Sequence, residues 1–208
     1  MRLFRPSRSS RLFGLFRLFA LEHSSAAYRA DFAVYAGAVT VLAVFLALGS
    51  PPAHWLQTSA IALVGLLSWS AMEYALHRFV LHGFQPFKSW HEEHHLRPRA
   101  LICTPTVLSA SLIAVLVFFP TFLLAGVWRA CAFTLGVLTG YLAYAITHHA
   151  THHWRANSAW LAQRKHWHAL HHQSSGPTAC YGVTSGFWDH ICRTSRRTLA
   201  SKALTDHG

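Results

Sequence analysis

Four long runs of apolar residues constrain this 208-residue chain more than any other feature. Residues 32–49, 55–72 and 130–147 each run for 18 positions without a charge, and residues 107–127 run for 21. A helix of about 20 residues spans the roughly 30 Å hydrocarbon core of a bilayer. A soluble fold of this size could hardly bury four helices that are apolar on every side. The sequence therefore predicts an all-α integral membrane protein with four transmembrane helices.

Short connections are expected to join these spans into two hairpins, at residues 50–54 with their Pro-Pro pair and at Trp128-Arg129. Of the 18 lysines and arginines, only Arg129 lies in a hairpin turn, and the other 17 lie at the opposite ends of the spans or beyond them. The positive-inside rule assigns that side to the cytoplasm. We therefore predict a multi-pass protein with both termini in the cytoplasm.

The N-terminal residues 1–31 carry six arginines among Leu and Phe, with no carboxylate before Glu22. This composition is typical of an amphipathic helix on anionic lipid. A signal or transit peptide is the alternative, but Arg17 interrupts its apolar stretch. The net charge of +11 thus belongs to membrane flanks, and no nucleic-acid partner is predicted. The rest of the chain, 32–208, is predicted to be one membrane-embedded domain with spans at about 32–49, 55–76, 107–127 and 130–147.

Histidine is the chemically unusual residue of this chain, with 17 copies against seven carboxylates. Thirteen of them fall into four groups on the predicted cytoplasmic side. The groups read EYALHRFVLH, WHEEHH, THHATHH and KHWHALHH. Because a polar ring costs free energy to bury, such an accumulation in a membrane protein indicates a function for the rings.

The spacing within the groups predicts two neighbouring metal ions. On an α-helix, positions i, i+3 and i+4 share a face, but adjacent residues such as His94 and His95 diverge by about 100°. One group can therefore supply two ions more easily than it can surround one. His77 and His82, five residues apart, would diverge by about 140° on an α-helix and are expected to serve one ion each.

The type of ligand limits which metal ions could bind but does not identify one. Carboxylate-bridged di-iron bundles need several Glu and two ExxH motifs, and only Glu92 to His95 matches. Imidazole suits Fe, Zn, Cu or Ni, so a hydrolytic dizinc site stays open. The four cysteines form no CxxC pair that would indicate a thiolate site. Because imidazole ligands are neutral, nearby carboxylates are expected to orient them and to offset the charge of the metal ions. Glu73 and Asp189 are candidates for this role, although Glu73 could equally be a charge at the membrane interface and Asp189 a solvated loop residue.

These motifs, followed by YGVTSGFWDHI, resemble the fatty acid hydroxylase/sterol desaturase superfamily of membrane di-iron oxygenases, over about residues 69–194. The resemblance implies a helical membrane fold with a cytosolic, histidine-rich cap over a dimetal site. The third group is ambiguous, since His149 and His153 repeat the spacing of His148 and His152. The implied metal ligands are His77, His82, His91, His94, His95, His148, His152, His168, His171 and His172. Tyr144 and His153 are expected, with Glu73 and Asp189, to support them.

The resemblance implies an O2-dependent oxidoreductase of lipid biosynthesis that holds two Fe ions, for which Zn could substitute. The implied reaction is hydroxylation of an unactivated C–H bond. The third group and the GVTSGFWD ending are similar to the acyl-chain and sterol branch of the superfamily, and a fatty acyl lipid is the expected substrate. A carotenoid or sterol hydroxylase or desaturase is the alternative. The pattern also departs from the family, since Ala145 stands where hydroxylases often carry an acid and Gln173 where a tyrosine is usual.

The partners implied are the membrane, a lipid substrate and an external electron donor. Residues 1–31 have no room for a haem domain, so a separate cytochrome b5, ferredoxin or reductase is expected to supply electrons. A histidine-rich metal transporter is the alternative from another class. It is disfavoured because the four spans carry no charge near mid-membrane.

Overall fold

The computed structural model describes residues 22–173 and 179–195. The predicted N-terminal amphipathic segment therefore lies almost wholly outside the described residues. Within them the chain is helical, and its only β pairing is an isolated bridge between Glu22 and Ile102. The helices are α1 (Ser25–Gly49), α2 (Trp55–Ala75, continued by a π-helical turn Leu76–Leu81), α3 (Phe87–Leu96), α4 (Thr106–Ala125), α5 (Val127–His153), α6 (Ala159–His171) and α7 (Phe187–Ile191).

Four of these helices, α1, α2 with its π turn, α4 and α5, are long and apolar enough to cross a membrane. Large aliphatic side chains on them point away from the protein, and Leu48, Leu56 and Leu124 are 83%, 84% and 88% exposed. Apolar surface on this scale would be unstable in water and matches the interior of a bilayer. The predicted all-α membrane fold is confirmed.

Two helix boundaries differ from the predicted ones because of local capping. Helix α1 begins at Ser25, seven residues before the apolar run, since the Ser24 hydroxyl accepts a hydrogen bond from the amide of Ala27. Asp31 is thereby included in the first membrane helix. The last two long helices separate at Gly126, whose φ of 81° favours glycine, and not at Trp128-Arg129.

Helix α5 is the centre of the bundle, packed most extensively on α2 and also on α1 and α4. The α2–α5 crossing is close because glycines face backbone. A Cβ on Gly136 would collide with the carbonyl oxygen of Ala62, and one on Gly65 with that of Phe133. Small residues at such crossings are the usual means by which membrane helices gain van der Waals contact.

Helix α4 is not regular throughout. Its middle segment, Ala114–Phe118, is π-helical and immediately precedes Phe119 and Pro120. Proline has no amide to donate and its ring displaces the carbonyl of the preceding turn, so a locally widened helix is an expected response. The widened segment places Val117 in the buried core beside Trp69 and Val137.

The histidine-bearing elements form a layer across one end of the bundle. The π turn after α2, helices α3 and α6, and the segment 179–195 with α7 all lie at the end where α1 and α4 begin and α5 finishes. At the opposite end, Trp128 stacks on Phe45 with ring centroids 5.0 Å apart. Of the ten described lysines and arginines, only Arg129 lies at that opposite end.

Candidate metal centre

Ten histidines from four segments converge in this layer as two adjacent groups. Within each group defined by mutual distance, the ligand atoms lie within 4.8 Å of one another. The first group contains His94, His148, His152, His168 and His172. The second contains His77, His82, His91 and His171, and His95 joins it with its Nε2 3.1 Å from the Nε2 atoms of His91 and His171.

Helical periodicity explains how neighbours on one helix reach different groups. His91 and His95, four residues apart on α3, share the second group, whereas His94 between them reaches the first. Helix α6 mirrors this, with His168 and His172 in the first group and His171 in the second. Residues i and i+4 differ by about 40° around a helix, but i+3 and i+4 differ by about 100°.

The π turn brings His77 and His82 together, which corrects the prediction that they serve different ions. Both lie in the second group, with ring centroids 5.3 Å apart. The predicted divergence assumed an α-helix, but Leu76–Leu81 is π-helical. Because π bonds run from i to i+5, residues five apart return to the same face.

The spacing of the ring nitrogens fits a bound cation. The Nε2 of His171 lies 3.1 Å from those of both His82 and His95, and the Nε2 of His168 lies 2.7 and 3.1 Å from those of His152 and His172. A single proton or lone pair cannot serve two such partners well. Ligands at right angles around an ion with metal–nitrogen bonds of about 2.1 Å would be about 3.0 Å apart. The residues therefore fit a pair of transition-metal ions, one in each group.

Two backbone carbonyls orient histidines of the second group. The Nδ1 of His77 donates to the carbonyl of Tyr181 at 2.5 Å, and the Nδ1 of His171 donates to that of Ala179 at 2.9 Å. A ring that carries its proton on Nδ1 has the Nε2 lone pair free for a metal, and the carbonyl also fixes the ring plane. Both carbonyls belong to the segment 179–186, which we call the carbonyl loop.

Glu73 and Asp189 hold the carbonyl loop, and their hydrogen bonds within the described residues go to backbone amides and threonine hydroxyls. The Glu73 carboxylate accepts from the amides of Val183 and Thr184 at 2.7 and 2.9 Å, and from the Thr184 hydroxyl. Asp189 accepts from the amides of Tyr181 and Gly182 at 2.9 and 2.8 Å. Both carboxylates are buried. They are therefore connected to His77 and His171 through the backbone of the carbonyl loop.

Sequence reasoning missed the carbonyl loop as part of the site. Its contribution is made by backbone atoms, which no side-chain pattern reveals. One available signal was Gly182, where a Cβ would collide with the carbonyl oxygen of Ser185 and approach the Asp189 carboxylate to 3.0 Å. A glycine is typical of a position where the backbone must approach a carboxylate closely, here that of Asp189 seven residues later.

Burial lowers the histidine pKa values in this layer. Burial is the largest of the causes that lower the pKa of His82 to about 4, followed by the nearby imidazole of His95 and the ammonium group of Lys88. Burial likewise lowers the pKa values of His94 and His172 to about 3, with His152 and His95 as the respective next causes. These rings are therefore neutral near pH 7, which is the form that binds metal.

The two histidine pairs of the third motif face different ways. His148 and His152 join the first group, whereas His149 and His153 stack on each other with centroids 4.5 Å apart. His149 also lies 3.3 Å from the Tyr28 hydroxyl. His153 therefore lies beside His149 at the edge of the layer. Tyr144 stacks on His148, with ring centroids 5.8 Å apart and planes 7° from parallel.

A cavity of about 280 Å³ leads from the histidines into the membrane part of the bundle. Apolar side chains of α2 and α4 contribute to its lining, and His77, His91, His94 and His148 form one end. Ala145 and Tyr144 contribute from α5. Its volume and lining suit an apolar chain rather than a hydrated ion path.

The comparisons with known proteins agree with this geometry. Residues 61–194 match the sequence profile of the fatty acid hydroxylase family. The chain belongs to this family. The predicted resemblance is therefore confirmed, and the profile covers every histidine of both groups.

The chain is also similar to individual hydroxylases and to one solved structure. The chain is 33% identical over 152 residues to dihydroceramide fatty acyl 2-hydroxylase FAH2 of Arabidopsis thaliana, covering 66% of this chain and 61% of that one. It is 31% identical over 144 residues to ceramide very long chain fatty acid hydroxylase scs7 of Schizosaccharomyces pombe, covering 64% and 41%. The visible hydroxylase domain of full-length scs7p aligns with a TM-score of 0.69 at 23% identity, over 88% of this chain and 69% of that one, which shows a shared fold.

Proposed function

We propose that this protein is a membrane-bound di-iron oxygenase that hydroxylates the acyl chain of a lipid, using O2 and two external electrons. The observation that carries the proposal is the two histidine groups at the end of an apolar cavity. The named relatives act on fatty acids or on ceramide fatty acyl groups. Because this chain spans only 61% and 41% of the first two, their activities are proposals here.

The ten histidines of the two groups would hold the iron pair, five for each ion. Bound iron would supply the chemistry with O2 that cleavage of an unactivated C–H bond requires, which no amino-acid side chain provides. The carbonyl loop keeps His77 and His171 in the tautomer that presents Nε2. Glu73 and Asp189, together in the buried layer, also offset part of the positive charge of ions bound by neutral rings.

The cavity would position the acyl chain of the lipid relative to the histidines. Its walls of Trp69, Leu112 and Val117 bind methylene groups and exclude water from the reacting carbon. Contacts along the acyl chain determine which carbon reaches the histidine end, because a displacement of one methylene moves a different hydrogen there. Specificity for the carbon attacked is therefore a property of cavity length and of the group bound at its far wall.

Electrons would arrive from a separate carrier at the histidine layer. Nine described lysines and arginines lie on this side of the bundle and would attract an acidic protein. Lys165 and Arg97 are already engaged, the first with the carbonyls of Thr151 and Trp154 and the second with Glu22 and Glu93. The same charge asymmetry supports a cytoplasmic location for the layer.

The test is lipid mass spectrometry in cells that express the chain together with a reductase system. We expect an acyl lipid to gain the mass of one oxygen with the intact protein and not with His171→Ala. Unchanged lipids with purified protein that binds no iron would contradict the proposal. Altered cellular zinc with an unchanged lipidome would favour the transporter, and oxygenation of a carotenoid or sterol would favour the other branch of the superfamily.

A further inference from the structure

Asp31 differs from the other two buried carboxylates of the described chain. Glu73 and Asp189 each accept three hydrogen bonds, from backbone amides and a threonine hydroxyl. Asp31 is 6% exposed, yet within the described residues it accepts only one, from the Thr106 hydroxyl at 2.6 Å. A carboxyl inside a membrane helix with an unused acceptor is costly, which indicates a ligand for that acceptor.

The position of Asp31 relates it to the metal end of the cavity. On α1, Tyr35 packs against Tyr141 of α5 with centroids 4.5 Å apart, and Tyr28 packs against His149 with centroids 5.5 Å apart. Asp31 lies between these two contacts, so it is level with the turn of α5 that ends at the ligand His148. It also lines the cavity, together with Tyr28 and Cys103.

We propose that Asp31 recognises the amide N–H of an N-acyl lipid and so fixes which carbon of its chain meets the metal centre. This inference rests on the proposed function. The second carboxyl oxygen of Asp31 accepts a hydrogen bond from the amide, while the acyl chain extends along the apolar wall. An ester, a thioester and the carboxylate of a free fatty acid have no hydrogen to donate to this oxygen.

If Asp31 had a purely structural role, its loss would affect the stability of the bundle and not the choice of lipid. The bond to Thr106 ties α1 to the first turn of α4 and would by itself stabilise the bundle. Asp31→Asn separates the two roles, since its amide oxygen still accepts from Thr106 while an NH2 group replaces the free acceptor. Thr106→Val is the matched variant, because it removes the tie and leaves the carboxyl in place.

The experiment uses two probes that differ by one methyl group, N-palmitoyl dihydrosphingosine and its N-methyl derivative. Binding is measured by thermal shift on the purified protein, and turnover by mass spectrometry on the iron-loaded protein. We expect wild-type protein to prefer the N–H lipid by about tenfold or more, the effect of one buried hydrogen bond. Asp31→Asn should reduce that ratio to about one, with iron content unchanged, whereas Thr106→Val should melt earlier and keep the ratio.

Equal binding of both probes by the wild type, or an Asp31→Asn ratio that stays high, would overturn the role of Asp31. The wild-type comparison needs no variant, so the proposal remains testable if Asp31→Asn does not fold. Failure of the proposed function looks different, because the wild type would then discriminate in the thermal shift but oxidise neither lipid.

Discussion

At the scale of single residues, the chemistry of this site depends on which imidazole nitrogen carries the proton. His77 and His171 are buried with 1% of their surface exposed, and each donates from Nδ1 to a carbonyl of the carbonyl loop. The remaining Nε2 atoms then meet ring nitrogens of other segments at 3.0–3.1 Å. Removing one such ring would therefore take one possible ligand atom from the second group.

His171→Ala is expected to lower bound iron from roughly two ions per chain to roughly one and to reduce turnover at least about 100-fold. The cause is the loss of a ligand atom that lies against both His82 and His95. Metal analysis of the purified protein measures the number of iron ions bound per chain. His166→Ala is the matched control, because His166 is exposed on the same helix and belongs to neither group. Equal metal loss in both variants would contradict the assignment.

The metal-free protein is expected to lose stability as the pH falls from about 7 towards 4. In the folded chain the pKa values of His94 and His172 are lowered to about 3 by burial, against an ordinary value of 6.5. Below pH 6.5 the unfolded chain binds protons that the folded chain does not, so the free energy of unfolding falls. For His94 alone the slope is about 1.4 kcal/mol per pH unit. Chelator-treated protein with a melting temperature independent of pH in this range would contradict the burial of these rings.

At the scale of elements, the carbonyl loop links carboxylates on α2 and α7 to His77 and His171. Glu73→Gln is expected to cost about 1–3 kcal/mol of unfolding free energy, since an NH2 group would face an amide or hydroxyl donor. Metal loss to a chelator should accelerate by about tenfold, because the loop no longer fixes His77. Glu92→Gln is the control, an exposed carboxylate on α3 next to the ligand His91. A Glu73 variant that retains metal as the wild type does would show that the loop is held by other contacts.

The α2–α5 crossing depends on contact between backbones. Gly136→Ala should destabilise the protein by about 1–3 kcal/mol, because its Cβ would overlap the Ala62 carbonyl and the helices must separate. Gly37→Ala on α1 is the matched control, since nothing lies within 4 Å of its added Cβ and the change should stay within about 1 kcal/mol. Thermal unfolding in detergent compares the two. Equal melting temperatures would mean that the crossing can widen freely.

At the scale of the whole molecule, the histidine layer and nine of the ten described lysines and arginines lie at one end of the four long helices. Of the four cysteines, only Cys192 is exposed, and it lies in this layer, after α7. A membrane-impermeant maleimide is therefore expected to label Cys192 in inverted vesicles and not in intact cells. Arg129→Cys, at the opposite end of the bundle, should label in intact cells. The reverse pattern would place the metal centre outside the cytoplasm.

Local information in the sequence was sufficient for the existence of four long apolar helices and for the histidine-rich motifs of the layer. Apolar runs of membrane length predicted four spanning helices, and the i, i+4 pairs such as His91 and His95 shared a group as α-helical periodicity requires. The motifs also predicted the family. These features depend on residues a few positions apart, whose relation is set by helix geometry alone.

Tertiary structure decided what depends on residues far apart in the chain. His77 meets the carbonyl of Tyr181, 104 positions away, and Glu73 meets Val183, 110 positions away. The same holds for the burial of Asp31 against Thr106. The π turn that unites His77 with His82 also escaped an α-helical prediction. Periodicity defines the faces of a helix, but only packing between helices decides which face meets the metal site.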